Sequence, residues 1–264
     1  MTSTQLRTVK ATRYVQPLRE GGSLPGLVEA DDEGMYVVKF RGAGQGSGAL
    51  VAELIVGELA RRGGLPVPEL VFIDVDPTLG RSDPDGEVQA LIQASGGINV
   101  GCDFLPGALP FDGALIAEVD PHLASQVVWL DAFVTNIDRT ARNTNLLLWH
   151  RRLHLIDHGA ALYVMHAWDG YEARVLTPFS PIRDHVLLPT ATQMAVVDES
   201  WRARISPADL TDILEIVPEA WWPLGRRWQS PADAKQAMWH FLSSRLAASH
   251  VFVAEVERAR ATLV

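Results

Sequence analysis

Cysteine is nearly absent: Cys102 is the only one in 264 residues. A single thiol can close no intrachain disulfide and build no thiolate zinc cluster. Positive charge is in deficit, with 23 Lys and Arg against 32 Asp and Glu and a net charge of −9. Tracking a nucleic acid takes a basic face that neutralises phosphates, so no nucleic-acid partner is expected. Binding one nucleotide stays open, because a magnesium ion and a few local cations suffice to hold it. Long apolar runs are missing too. No uncharged stretch approaches the roughly 18 residues of a membrane span, so no membrane partner is expected. The N-terminal MTSTQLRTVKATRYVQPLRE lacks the apolar core of a signal peptide, and a reducing cytoplasm is the expected location. Internal repeats and low-complexity segments are also absent.

What is present is an ordinary globular composition, 47% hydrophobic and 21% charged, in a chain long enough for one or two domains. Residues 7–16 mix β-branched, basic and aromatic types and predict a strand. REGGSLPG (19–26) is a turn-rich loop, and LVEA (27–30) with MYVVKF (35–40) predicts a hairpin around DDEG. Leu50, Leu54, Ile55 and Leu59 fall at helical spacing across 49–62, and the two glycines and Pro66 of GGLPVPE stop that helix. LVFIDV (70–75) and EVQALIQ (87–93) predict two more strands joined by PTLGRSDPDG. GCDFLPGALPFDG then reads as a connector, with a boundary near residues 100–110. Beyond it come a helix over 120–135, a short hairpin of NLLLW and LHLID turning at His150 to Arg152, and a mostly helical remainder from about 185. The order is a sheet with one helix, then a helical body with one hairpin. It implies two lobes with a cleft between them, a usual location for ligands.

TNIDRTARNTNLLL (135–148) sets Asp138 and Asn143 five residues apart on an irregular segment, and the hairpin then delivers Asp157 in LIDHG. In protein kinases the catalytic loop carries an Asp followed five positions later by an Asn, and a second Asp precedes a Gly by two a strand later. The spacing has a physical reason. The first Asp faces the incoming hydroxyl, while the Asn and second Asp meet from two segments to hold magnesium between phosphates. Hard Mg²⁺ takes oxygen ligands, and an Asn supplies one without adding charge. In the first half Lys39 is a lone cation on an apolar strand, like the lysine of the kinase V-A-I-K motif. Glu53 on the next helix suits its ammonium, and Glu58 on the same helix is the competing partner.

YVVKF, AELIVGELARRGGLPVPE, VGCDFLPGA, TNIDRTARNTNLLL and LIDHGAAL, over about residues 35–165, together resemble the HipA-like kinase family, particularly its short stand-alone branch. The resemblance implies an α+β, bilobed protein-kinase-like fold. An N-terminal lobe over 1–105 would carry an antiparallel sheet with one main helix, and a mainly helical lobe would span 106–264. It implies ATP with Mg²⁺ as cofactor and transfer of the γ-phosphate to a Ser or Thr of a protein. Asp138 becomes the catalytic base, Asn143 and Asp157 the metal ligands, and Lys39 with Glu53 the phosphate clamp. The connector at Asp103 and Leu105 receives the adenine, and Ser23 in REGGSLPG belongs to a lid over the phosphates. The sequence departs from the protein-kinase pattern in having Asn136-Ile137 before the Asp and His158 in place of Phe after Asp157. These departures leave a small-molecule acceptor open, as in kinases of the aminoglycoside or phosphoinositide kind. They also leave open a non-catalytic nucleotide-binding regulator that recruits a protein through the tryptophan-rich C-terminal helices.

RGAGQGSGAL (41–50) contains Gly44, Gly46 and Ala49 in the spacing of a dinucleotide fingerprint. Glu69 is in range for the acidic residue such a site needs but precedes LVFIDV instead of ending it, and Asp74 fits a little better. That reading leaves the catalytic-loop set and Lys39 without a purpose, so it loses to two others. One is a mobile link whose amides touch a phosphate, with Ser47 as a phosphorylation point. The other is a plain turn. Arg139 and Arg142 flank Asp138 and read by default as surface salt bridges, with phosphate neutralisation as the alternative. His154 and His158 are about 13 Å apart if both are extended on a strand, too far to share a metal, and His158 reads as a packed residue. Trp201, Trp221, Trp222, Trp228 and Trp239 read as helical core, with VPEAWWP as a candidate exposed patch.

Overall fold

The computed structural model describes residues 6–18, 24–44, 46–81, 83–166, 168–224 and 227–263. Its first part comprises β1 (Thr8–Pro17), β2 (Gly26–Ala30), β3 (Met35–Lys39), α1 (Ser47–Gly63), β4 (Leu70–Val75), α2 (Gly86–Ala94) and β5 (Gly97–Asp103). The strands close into a barrel in the order β1-β2-β3-β5-β4. Every neighbouring pair is antiparallel except β1 and β4, which run parallel from Thr8 opposite Phe72 to Lys10 opposite Asp74. The expected antiparallel sheet closes on itself, sealed by a single parallel pairing.

Alternation along β3 decides where its lysine goes. Tyr36 and Val38 point into the barrel core with Val28, Val71 and Ile73, so Lys39 faces the opposite side, toward α1. Nearly every residue of α1 from Leu50 to Ala60 is buried, as an all-round apolar helix requires. It packs into the larger core of the helical part, separate from the barrel's own core. Gly64, in the left-handed conformation at φ 81°, ends α1 and donates to the Ala60 and Arg61 carbonyls.

One expectation fails here. Residues 87–93 form α2, and the strand expected there is supplied by 97–103, partly inside the stretch expected to be connector. Asp85 caps α2 through its side chain, which accepts from the Glu87 amide at 2.9 Å, and Val88 and Ile92, one turn apart, bury the helix against the barrel.

The second part holds β6 (Leu109–Pro110), α3 (Pro121–Phe133), β7 (Leu146–Trp149), β8 (Arg152–Leu155), α4 (Tyr171–Arg174), α5 (Met194–Arg204), α6 (Pro207–Ile216), α7 (Pro231–Ala247) and α8 (Ser249–Ala261), with short 3₁₀ turns between them. β6, β7 and β8 form a three-stranded sheet. The β7–β8 hairpin turns on His150 and Arg151, both at positive φ, which matches the strand twist. Trp129 of α3 stacks on Trp201 of α5 at 4.8 Å and meets Phe252 of α8 edge-on at 5.3 Å, which ties three helices together. Trp221 and Trp222 are buried, so VPEAWWP offers no exposed indole patch. Among the described residues no helix is long and apolar enough to cross a membrane.

Candidate active site

Lys39, the last residue of β3, places Nζ 2.7 Å from Glu53 Oε2 and 2.6 Å from Asp157 Oδ1. Its side chain is 13% exposed. Burial works against its charge, but the carboxylates of Glu53 and Asp157 outweigh that and hold the ammonium above the ordinary lysine range. Glu53 Oε2 also accepts from the backbone amide of His158 at 2.7 Å, so one oxygen joins the lysine strand to the segment after Asp157. Glu58 takes no part in this cluster. Five residues on, it faces away and is held by the Arg61 guanidinium at 3.0 and 2.6 Å.

Asp157 follows β8 at φ 53°, a left-handed conformation that turns its carboxylate back toward the lysine. Burial pushes its pKa up, but the charge and hydrogen bond of Lys39 and the Gly159 amide hold it below the usual carboxylate range. Asp138 lies on the segment after α3. Its Oδ2 accepts from Asn143 Nδ2 at 2.8 Å and Asn145 Nδ2 at 3.1 Å, and its own amide donates to Asn136 Oδ1 at 3.1 Å. With Nδ2 turned to Asp138, the side-chain Oδ1 of Asn143, on an exposed loop, keeps its lone pairs without a hydrogen-bond donor among the described residues.

The structure thus gathers Lys39, Glu53 and Asp157 in one group and Asp138 and Asn143 in another, with no direct side-chain hydrogen bond between the groups among the described residues. Asp103 pairs with Tyr36 and Lys39 with Val100, so Asp103 lies three strand positions from the lysine, about 10 Å. Burial, with the charge of Glu69, raises the Asp103 pKa. Leu105 is buried just beyond. Ser23 lies outside the described residues.

Arg139 corrects its surface reading. It is 1% exposed, and Nε meets Asp131 Oδ2 at 2.6 Å in a pair with no exposed side-chain surface. His185 Nε2 reaches the same oxygen at 2.9 Å and Asn136 Nδ2 the other at 2.9 Å. The sequence reading did not single out Asp131 and His185, and it placed Arg139 at the surface. The signal available was a carboxylate, Asp131, in the midst of the otherwise apolar VVWLDAF. His158, 2% exposed, packs as expected, with Nδ1 accepting from Arg139 Nη2 at 3.3 Å.

The glycine-rich stretch begins as a pinned turn. The Arg41 amide donates to Asn99 Oδ1 at 2.7 Å and the Gly42 amide to Ser95 Oγ at 3.0 Å. β5 lies between β3 and β4 and is antiparallel to both, so the parallel βαβ unit of a dinucleotide site is not formed.

The model of the HipA-like kinase family matches residues 12–252. Among solved structures, the crystal structure of a Helicobacter pylori proinflammatory kinase, CtkA, superposes with a TM-score of 0.62 at 13% identity and covers 98% of each chain. At that identity the likeness speaks for the fold alone. A search of curated protein sequences returns no match.

Proposed function

Given that the chain belongs to the HipA-like kinase family, we propose that it moves the γ-phosphate of ATP to a hydroxyl acceptor, a Ser or Thr of a protein, with Mg²⁺ as cofactor. In this reading residues 1–105 and 106–264 act as two lobes, with ATP between them and its adenine beside Asp103 and Leu105. The observation that carries it is the Lys39 ammonium held between Glu53 and Asp157, at 2.7 and 2.6 Å. A buried cation fixed by two carboxylates is preorganised for the α- and β-phosphates and needs no rearrangement when charge develops.

The donor set fits magnesium: a carboxylate at Asp157 and the side-chain amide oxygen of Asn143, both hard oxygens, with phosphate and water to complete the shell. Those two residues would hold the ion, which neutralises phosphate charge when bound. Asp138 orients the acceptor hydroxyl and receives its proton. The amides of Asn143 and Asn145 aim that carboxylate, so positioning supplies much of the rate.

A γ-labelled ATP assay on the purified protein and on cell extract tests the reading and finds the acceptor. Label on protein supports it, and label on a small molecule replaces the acceptor while keeping the chemistry. No transfer together with no metal-dependent ATP binding rejects the whole assignment. Asp138→Asn is expected to fold, to bind ATP as wild type does and to lose transfer by about 10²-fold or more, within the range of lost proton-transfer catalysis. Asp157→Ala is expected to weaken Mg·ATP binding itself, read by calorimetry with and without magnesium.

A further inference from the structure

Arg139 stands directly after Asp138, and its three guanidinium nitrogens go to three different segments. Nε holds Asp131 of α3 at 2.6 Å. Nη1 donates to the carbonyl of Asn145, the residue whose amide grips the Asp138 carboxylate, and to the Ile156 carbonyl at 3.4 Å. Nη2 reaches His158 Nδ1 at 3.3 Å. Ile156 and His158 are the two neighbours of Asp157. Behind this fork the Asp131 carboxylate is fixed by His185 and Asn136, and the Arg139 carbonyl accepts from the Val186 amide at 3.0 Å. The two groups of the candidate site share no direct side-chain bond among the described residues. Their segments meet through the Ile156 amide, which donates to the Asn145 carbonyl at 3.1 Å, and through this one buried guanidinium, the side chain that reaches both.

We propose that Arg139 is a positioning residue that sets the distance between the Asp138–Asn143 loop and the Asp157 segment, and with it the metal site that needs oxygens from both. The inference rests on the phosphotransfer reading. Stability alone is a poor reason for this pair, because a buried ion pair adds little over an apolar replacement of similar shape. A planar fork with donors in fixed directions is suited to spanning several acceptors, which a lysine point charge is not.

Arg139→Lys keeps a cation for Asp131 but cannot span the Asn145, Ile156 and His158 acceptors together. The test is calorimetric: ATP affinity with magnesium divided by ATP affinity in EDTA, for wild type and variant, with circular dichroism to establish folding. The variant is expected to lose about tenfold or more of the metal-dependent gain, the usual cost of removing support behind metal ligands. Its affinity in EDTA stays within about twofold, because Lys39 and Glu53 are untouched. A folded variant with an unchanged ratio overturns the positioning role and leaves the kinase reading standing. A wild-type protein with no metal-dependent gain overturns that reading as well. Should Arg139→Lys not fold, His185→Phe decides. It removes one of the bonds that fix Asp131, lies outside the two ligand segments, and is expected to lower the same ratio severalfold; an unchanged ratio overturns the proposal.

Discussion

Thr135 holds a left-handed backbone, φ 55°, which a β-branched side chain rarely adopts, and its buried hydroxyl oxygen has no hydrogen-bond partner among the described residues. Asn145, Asp157 and Leu162 share that region of φ, so four of the described non-glycine residues with positive φ border the candidate site. The surroundings impose the conformation. The Asn136 amide donates to the Asp131 carbonyl at 2.8 Å and the Leu162 amide to the Val134 carbonyl at 2.7 Å, which turns the chain sharply out of α3 and aims Asp138 back toward Asn143. Strain of this kind costs about 1–3 kcal/mol and collects where a side chain must be aimed. Thr135→Gly relieves it and deletes the orphaned hydroxyl, against a glycine entropy cost of about 0.5–1 kcal/mol. The net is a gain near 1 kcal/mol, which raises the melting midpoint by roughly 2–4 °C in a chain of this size. Transfer activity is expected to fall in the same variant as the loop loosens. A lower midpoint in a thermal melt would show that Thr135 carries no strain.

Among the elements, α1 depends on a close approach at its C-terminal end. A Cβ added to Gly63 would lie 2.1 Å from the Trp201 ring, and that indole is fixed by its stack on Trp129. Gly63→Ala therefore forces the α5 indole aside. Overpacking costs about 1–3 kcal/mol, which outweighs the gain of up to about 1 kcal/mol from alanine's helix propensity. A lower melting midpoint and a shifted tryptophan emission are expected. Gly44→Ala, where nothing lies within 4 Å, is the control, expected within about 0.5 kcal/mol of wild type. The elements that position Lys39 were legible for a plain reason. A lone lysine after MYVV alternates out of a barrel core, and the apolar run of α1 is long enough to exclude a strand. EVQALIQ was not legible by the same rule, because Val88 and Ile92 suit both periodicities in so short a run. The capping Asp85 was the local signal that decides for helix. The Lys39–Glu53 pair followed from partner types and order, but Arg139 did not, since no periodicity marks an arginine in a loop as buried.

At the scale of the whole molecule, buried charge and buried neutral imidazole are arranged around one junction, and this sets how the fold responds to acid. Burial pushes the His158 imidazole down to about 4, and Arg139 beside it acts in the same direction against the charge of Glu53. His185 is lowered too, by burial that outweighs its hydrogen bond with Asp131. Each is neutral in the fold, with Nδ1 accepting from Arg139 in one case and from the Leu187 amide in the other. In the unfolded chain both take a proton near 6.5. Between about 6.5 and 4 the unfolded state therefore binds more protons, and stability rises with pH across that window. The contribution is complete above 6.5 and is lost as pH falls toward 4. Asp131 adds to the loss at lower pH. Its burial is outweighed by the Arg139 charge and the His185 hydrogen bond, which hold its pKa below the usual carboxylate range, so its contribution lasts until the pH drops under about 4. Urea midpoints measured from pH 7.5 to 4.5 are expected to stay level above 7 and to decline through 6 and 5. In His158→Gln, which cannot take up that proton, the decline is expected to be shallower. A slope identical to wild type would place the imidazole in contact with solvent and break the buried junction on which the Arg139 arrangement depends.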